Sequence, residues 1–425
     1  MRSISVLLLP ALCAGSLMLT ATPVRAADNA DEAALSLADS TPEMKQASRP
    51  WRLAAEGAVG RSRQRYGVND FNIGRLSLDG YYDAVLAPAW RLVLADRIDR
   101  YYQSGINRDS TINTMKEAYV SWHPEGIVIV DAGRINVRNG AAFGYNPTDF
   151  FRSGAIRSVV SIDPNSLREN RLGTVMLRGQ VLLPGGSVTV IAAPKLTDKP
   201  SDAAFSPDFG ATSRRDRWMI TASTRYSEAF NPQFLIFGGK GQSAQGGLNL
   251  SALLNQSTVG YVEWAGGSGG SLYDNAIGAG GDQKFRQRVS TGLTYTTANK
   301  LSLTAEYEYN GAGMNRGQWS QLGPSALENY VRYRLQVQDL QELPTRSSIF
   351  LFASWQDAMM PHLDLRGFIR YNTNDQSRLN WLEARYHLTR VDLSLQLQHN
   401  AGNPFTEYGA LPERQMVQGV VTYFF

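Results

Sequence analysis

Arginine is the residue in this chain with the most chemistry on offer: the 42 Lys+Arg divide into 35 Arg and 7 Lys. A guanidinium is a rigid fork that fits carboxylate or phosphate in two-point contact, so the arginines suit recognition of anions. Catalysis has far less to work with. Of the four histidines, His123 and His362 fall at expected turns, and His387 and His399 fall near strand ends. None stands two residues before a serine, and no HExxH or GxSxG motif occurs. Glu306 and Glu308 share one strand face, where solvating a lumen suits them better than acid–base work. Asp274 and Asp282 lie in a Gly-rich stretch, too loosely spaced for a calcium loop. No catalytic residue, metal or cofactor is assigned, and the expectation is a non-enzyme.

What these side chains meet depends on the elements that carry them, and here the period is two. Val391 to His399 alternates strictly, with Leu393, Leu395 and Leu397 on one face and Ser394, Gln396 and Gln398 on the other. Leu301–Tyr309, Leu363–Tyr371, Val289–Tyr295, Trp218–Tyr226 and Trp51–Val59 behave alike. Runs of roughly 9–13 residues exceed the usual soluble strand and suit a tilted crossing of hydrocarbon. Eighteen such segments start near Trp51, Phe71, Ala89, Ile112, Ile127, Arg171, Ser187, Arg217, Pro232, Gln245, Thr258, Phe285, Leu301, Ser347, His362, Ser377, Val391 and Arg414. The expected fold is all-β, a transmembrane antiparallel β-barrel over residues 50–425, with sixteen strands as the alternative count.

Composition agrees. The chain has 425 residues, 43% hydrophobic and 19% charged, and no long apolar run beyond the N-terminal segment, which excludes a helical membrane bundle. Residues 1–26 read as a Sec signal peptide, with Arg2, an apolar run and Val24-Arg25-Ala26 at the cleavage site. Cleavage would remove the one cysteine, Cys13, and reduce the formal charge from +4 to +2, with 40 cations against 38 anions. No case for a nucleic-acid partner survives that. Residues 27–49 read as a periplasmic lead-in.

The connections test the barrel. If both termini are periplasmic, every second connection must be tight. Ala87-Pro88, His123–Gly126, Pro184–Gly186, Glu228–Asn231, Asn255–Ser257, Ala298–Lys300, Met359–Pro361 and Thr389-Arg390 all are. The alternate positions hold every long insertion: Arg138–Asn170, Lys195–Arg215, Gly266–Lys284, Gly311–Arg346 and Ala401–Glu413. Val417, Gly419, Val421, Tyr423 and Phe425 share one face, an ending similar to the signal read by outer-membrane assembly machinery. Outer-membrane lipid and that machinery are the partners this implies, in a Gram-negative outer membrane.

A barrel of this size encloses water, so function rests on the polar parity. Pore-lining or constriction candidates are Arg75, Arg97, Arg134, Arg178, Arg225, Arg288, Arg366 and Arg370 on strands, with Arg138, Arg152, Arg157 and Asp149 in the Arg138–Asn170 connection. Asp131 and Lys116 fall on the apolar parity, and Gly133 is the expected bulge that resets it. Two readings stay open: cations that select solute, or an Arg–carboxylate ladder that braces the wall. Ser325–Gln341 is expected to form an amphipathic covering helix.

Met115-Lys-Glu-Ala-Tyr-Val-Ser-Trp122, Gly133-Arg-Ile-Asn-Val-Arg-Asn-Gly140 and Asn146-Pro-Thr-Asp-Phe-Phe151 together resemble a strand–turn–strand–loop module of the alginate-export family and related porin-like barrels. Ile135 and Asn139 depart from that pattern, where Gln and Trp are usual. The resemblance implies an eighteen-stranded barrel passing small solutes or an anionic polymer. The expected function is a porin-like channel for small or anionic solutes; an export conduit for an acidic exopolysaccharide is the alternative, and an adhesive barrel acting through its long loops ranks third.

Overall fold

A computed structural model describes residues 49–425 except 68, 105–109, 228 and 282. The signal peptide and nearly all of the lead-in lie outside the described residues, as does Asp282. Among the described residues there are eighteen strands. The first nine are β1 Trp51–Gln64, β2 Phe71–Ala87, β3 Trp90–Gln103, β4 Ser110–Glu125, β5 Val128–Ile135, β6 Thr174–Leu183, β7 Gly186–Ala193, β8 Arg217–Thr224 and β9 Phe230–Gly239. The rest are β10 Gln242–Asn255, β11 Thr258–Gly269, β12 Lys284–Thr296, β13 Leu301–Asn310, β14 Ser347–Trp355, β15 Leu363–Asn372, β16 Arg378–His387, β17 Val391–Ala401 and β18 Glu413–Phe424. Each begins within three residues of its expected start. Every strand pairs antiparallel with its successor, and β18 pairs with β1, so the sheet closes. Closure leaves no free edge, which is the condition for a sheet to cross lipid.

The alternation sorts side chains as expected along most of the wall. Leu393, Leu395 and Leu397 on β17, Leu382 on β16, Val421 on β18 and Val59 on β1 are exposed on the outside. Such a continuous apolar belt is stable only against lipid. Aromatic pairs mark its short-turn end: Trp90 stacks on Trp122 at 5.8 Å, and Tyr423 meets Phe425 edge-on at 4.9 Å. Both ends of the barrel chain, Trp51 and Phe425, lie at this end.

Three residues of the parity reading are corrected here. Residue 131 on β5 sits opposite Arg178 on β6, and their side chains pair at 2.7 Å, so Asp131 points inward. Arg134 consequently points outward, with Ala132 and Val175; its guanidinium donates to the Pro207 carbonyl and lies over the Phe209 ring. In this strand both parities carry apolar residues, and only the cross-strand ion pair decides between them. The third is Lys116. Ala95 pairs with Glu117 and Asp96 with Met115, so Lys116 is the extra residue of a bulge, and its ammonium swings inward to Asp79 at 2.8 Å. The register at Gly133 runs unbroken.

Short helices occupy the long connections: α1 Pro164–Glu169, α2 Phe209–Thr212, α3 Leu272–Ile277, α4 Arg316–Ser325 and α5 Leu327–Leu340. The expected helix over Ser325–Gln341 is α5; α4 precedes it, capped by Asn315 and Gln318 in a reciprocal box. Trp319, Leu322, Tyr330, Tyr333 and Val337 pack these helices onto Leu272 and Met314 as one apolar cap.

The outward parity makes a direct prediction. Leu395→Arg, at the middle of the belt, should cost about 2–4 kcal/mol of folding stability in lipid. Ser394→Arg, facing the lumen, should leave it nearly unchanged, as read by urea unfolding in liposomes.

A loop held across the lumen

The connection between β5 and β6, residues 136–173, folds into the barrel, and three wall glutamates receive it. Glu263 on β11 and Glu306 and Glu308 on β13 all point inward and are buried. The Ala142 amide donates to Glu263 at 2.6 Å, and the Phe143 and Gly144 amides donate to Glu306 at 2.5 and 2.8 Å. Thr148 donates to Glu263 at 3.2 Å, and Tyr261 donates to Glu306. Backbone amides pointing at carboxylates are charge-assisted contacts, stronger than neutral ones. The loop comes this close because two positions lack a side chain. A Cβ at Gly140, where φ is +86°, would collide with the Glu263 carboxylate, and one at Gly144 would collide with Glu308. Arg370 then donates to the Gly144 carbonyl and lies 5.3 Å over the Phe350 ring.

Apolar contacts spread the same attachment over half of the wall. Phe143 stacks on Phe352 at 5.4 Å, beside Phe350, Phe368 and Trp381. Phe151 packs among Ile135, Met176, Ile191, Met219, Leu235 and Phe237. Within the loop, Arg171 holds Asp149 at 2.7 and 3.2 Å, and buried Arg168 donates to the carbonyls of Asn139 and Gly140. Asp163 caps α1 by accepting the Asn165 and Ser166 amides, and burial raises its pKa above the usual carboxylate value.

A second loop locks onto the first. Glu342, after α5, is bonded by Arg152 of the inserted loop at 2.6 Å and by Arg288 of β12 at 2.7 Å, and it accepts from the Tyr145 hydroxyl. Burial alone would raise the Glu342 pKa; the two guanidinia outweigh it and hold the carboxyl below its usual range.

The far side of the lumen is polar. Arg75 donates to Glu56, to Ser77 at 3.1 Å and to the loop carbonyl of Val160 at 2.7 Å. Arg97 contacts Asp99 at 2.9 Å, Glu56 at 3.0 Å and Asp79 at 3.4 Å. Asp99 in turn accepts from loop residue Ser158 at 2.7 Å. Glu383, Gln396 and Gln418 form a chain of hydrogen bonds across β16, β17 and β18. Between residues 159–162 and this wall a cavity of about 300 Å³ remains, with Arg75, Tyr101, Trp381, Gln396 and Gln418 in its lining.

The twelve candidates therefore separate into groups. Arg75, Arg97 and Arg178 are inward wall cations tied to carboxylates. Arg152 joins the inserted loop and half-buried Arg288 joins the wall to Glu342 of the second loop, and Asp149 pairs with Arg171 inside the inserted loop. Arg157 holds the next connection through the Ser206 and Ala203 carbonyls. Arg370 clamps Gly144, Arg134 faces outward, and Arg225 is exposed in the β8–β9 turn rather than on the wall. Arg138 is exposed and Arg366 half-buried, and neither has a hydrogen-bond or ion-pair partner among the described residues. Glu263, Arg171 and Glu342 were not singled out from the sequence. Inward parity on β11 marks Glu263; no local pattern marks the other two. His387 also turns inward, between Asp392 at 2.9 Å and Asp364 at 3.3 Å.

No family model matches the chain, and no curated protein matches it in sequence. Solved structures do match in fold. OccAB1 of Acinetobacter baumannii superposes with a TM-score of 0.55 at 11% identity, over 90% of this chain and 99% of that one. Pseudomonas aeruginosa OpdQ gives 0.55 at 8% identity over 89% and 99%, and P. aeruginosa OccK2 (OpdF) in complex with glucuronate gives 0.55 at 11% over 88% and 97%. The fold is thus that of outer-membrane porin barrels. These likenesses agree with the porin-like side of the sequence resemblance and do not single out the alginate-export family.

The loop-to-loop lock has a pH signature. A carboxyl whose pKa is depressed in the folded state stabilises that state above its unfolded pKa and loses the effect as pH falls through the folded value. The lock at Glu342 should hold at neutral pH and weaken progressively below about pH 4.5, the ordinary value for the group. Trypsin nicking within 311–346 should accelerate in Glu342→Gln already at pH 7, where the parent resists.

Proposed function

We propose that this chain is a channel of a Gram-negative outer membrane that passes small solutes with a preference for anions, and that it is not an enzyme. The observation that carries the reading is the 136–173 loop, latched across the lumen of a closed eighteen-stranded barrel. In this reading the short turns and both barrel ends face the periplasm and the long connections face outside. The signal peptide directs export, and the strand ending in Phe425 engages the assembly machinery.

The latched loop acts as a sieve. It packs against β5 to β15 and leaves the cavity of about 300 Å³ on the polar side, where solute must pass charged rows. Arg75 and Arg97 there are neutralised by Glu56, Asp79 and Asp99 and act as a ladder that braces the wall. Arg138 and Arg366 stand outside this ladder, each facing a single carboxylate electrostatically, Glu117 and Asp163, and they supply the anion preference. A neighbour of the same fold was solved with glucuronate, so a small sugar acid is the first solute to test. An exopolysaccharide strand would need the latch to open, which favours single solutes over a polymer.

Purified protein in a planar bilayer should show stepwise conductance with a reversal potential on the anion side in a KCl gradient. Arg366→Glu should move that potential toward cations, and Gly144→Ala or Glu306→Ala should raise single-channel conductance about twofold or more by releasing the loop. A silent barrel, or conductance unchanged by all three, would sink the proposal.

A further inference from the structure

The outer surface of the barrel carries charge at one end of one sector. On β17 the lipid-facing series Leu393, Leu395, Leu397 ends in His399; on β16 the series Leu382, Asn380 ends in Arg378; on β1 Val59 is followed by Arg61 and Arg63. The register places these together. His399 lies opposite Gln415, which lies opposite Arg63, and Arg378 lies opposite Ala401. A bulge at the end of β18 adds Arg414: Gln415 pairs with Arg63 and Glu413 with Gln64, leaving Arg414 as the extra residue. Arg378 and Arg414 both act on His399 electrostatically.

Arg63, Arg378 and Arg414 are exposed, and none has a hydrogen-bond or ion-pair partner among the described residues. Arg61 has only Asp70, at 3.5 Å, with its own side chain 65% exposed. Three exposed guanidinia within four adjacent strands, without counter-ions, repel one another. On β11 and β12 the same level carries aromatics instead: Trp264 stacks on Phe285 at 6.4 Å. The short-turn end of the same strands is aromatic, with Tyr423 and Phe425.

We propose that this row on β16, β17, β18 and β1 binds the phosphorylated sugar headgroup of lipid A in the outer leaflet. The site lies where the apolar belt ends on the long-connection side. A ligand seated there must present anionic groups at headgroup height and acyl chains below them, along Leu382, Leu395, Leu397 and Val59. A phosphate supplies oxygens that match guanidinium geometry, and an acylated disaccharide phosphate satisfies both demands at once. The site takes lipid rather than solute, since Arg61, Arg63, Arg378 and His399 stand on the outward parity and the bulged Arg414 is exposed beside His399.

Lipid A is the probe. The full barrel in neutral detergent should retain bis-phosphorylated lipid A through gel filtration, and Arg63→Gln/Arg378→Gln/Arg414→Gln should retain at least about tenfold less, as expected for three headgroup-facing cations. Heat-modifiable gel mobility checks that the variant folds, and the corresponding triple Lys variant should restore retention. Equal retention by the Gln variant, equal retention of dephosphorylated lipid A, or displacement of the lipid by inorganic phosphate at millimolar concentration would overturn the assignment. The inference rests on the membrane placement proposed above and not on conduction. Failure to insert into neutral phosphatidylethanolamine vesicles would defeat that placement, whereas insertion with no lipid A preference defeats this site alone.

Discussion

The structure depends on carboxylates in a wall accepting amides from a loop. An isolated glutamate buried in a barrel would cost several kcal/mol, and a loop amide buried without a partner would cost about 1–3 kcal/mol. Glu263 and Glu306 set the two deficits against each other: the desolvated charge is solvated by Ala142, Phe143 and Gly144, and those amides gain acceptors that no strand offers them. Each side is tolerable only in the presence of the other. That mutual need fixes the depth and azimuth of the loop.

From this attachment the division of the wall follows. Where the loop lies, the inner faces of β5 to β9 carry Ile135, Met176, Ile191, Met219 and Leu235, which would be unfavourable against water. On the opposite side, the inner faces carry Glu56, Arg75, Asp79, Arg97 and Asp99 in mutual contact. The loop reaches this side too, through Ser158 to Asp99 and the Val160 carbonyl to Arg75, beside a cavity of about 300 Å³. The covering helices add a second restraint through Glu342, placed between Arg152 of the loop and Arg288 of the wall.

Much of this was legible in the sequence, for a physical reason that also marks where legibility stops. A lipid-facing strand must alternate, so β1, β15, β17 and β18 could be read from single residues, and the turn chemistry fixed which connections were tight. Alternation loses its meaning where the inner face is also apolar. β5 is the case in point: Val128, Val130 and Ala132 compete with Ile129 and Ile135, and only the partner Arg178, more than forty positions on, decides that Asp131 is inside. Lys116 fails for a different reason, since a one-residue bulge leaves no trace in composition. The loop latch was half visible. Gly140 and Asn146 stood within the resembling module, and Glu306 on the inward parity, but that they meet is a long-range fact that no local pattern encodes.

The abundance of arginine takes on a narrower meaning in this setting. A guanidinium held 3 Å from a carboxylate contributes little field a Debye length away, about 8–10 Å at moderate salt, because the pair is seen as a dipole. Arg97, with Glu56, Asp79 and Asp99 around it, is therefore a poor attractor for a passing anion, however many arginines the wall displays. The same pairs give the wall rigidity: a barrel that must hold a charged loop in register cannot let its inner side chains reorient with each solute. Paired charges of this kind set shape, and an Arg-to-Lys excess on its own reports that bracing more than any attraction for anions.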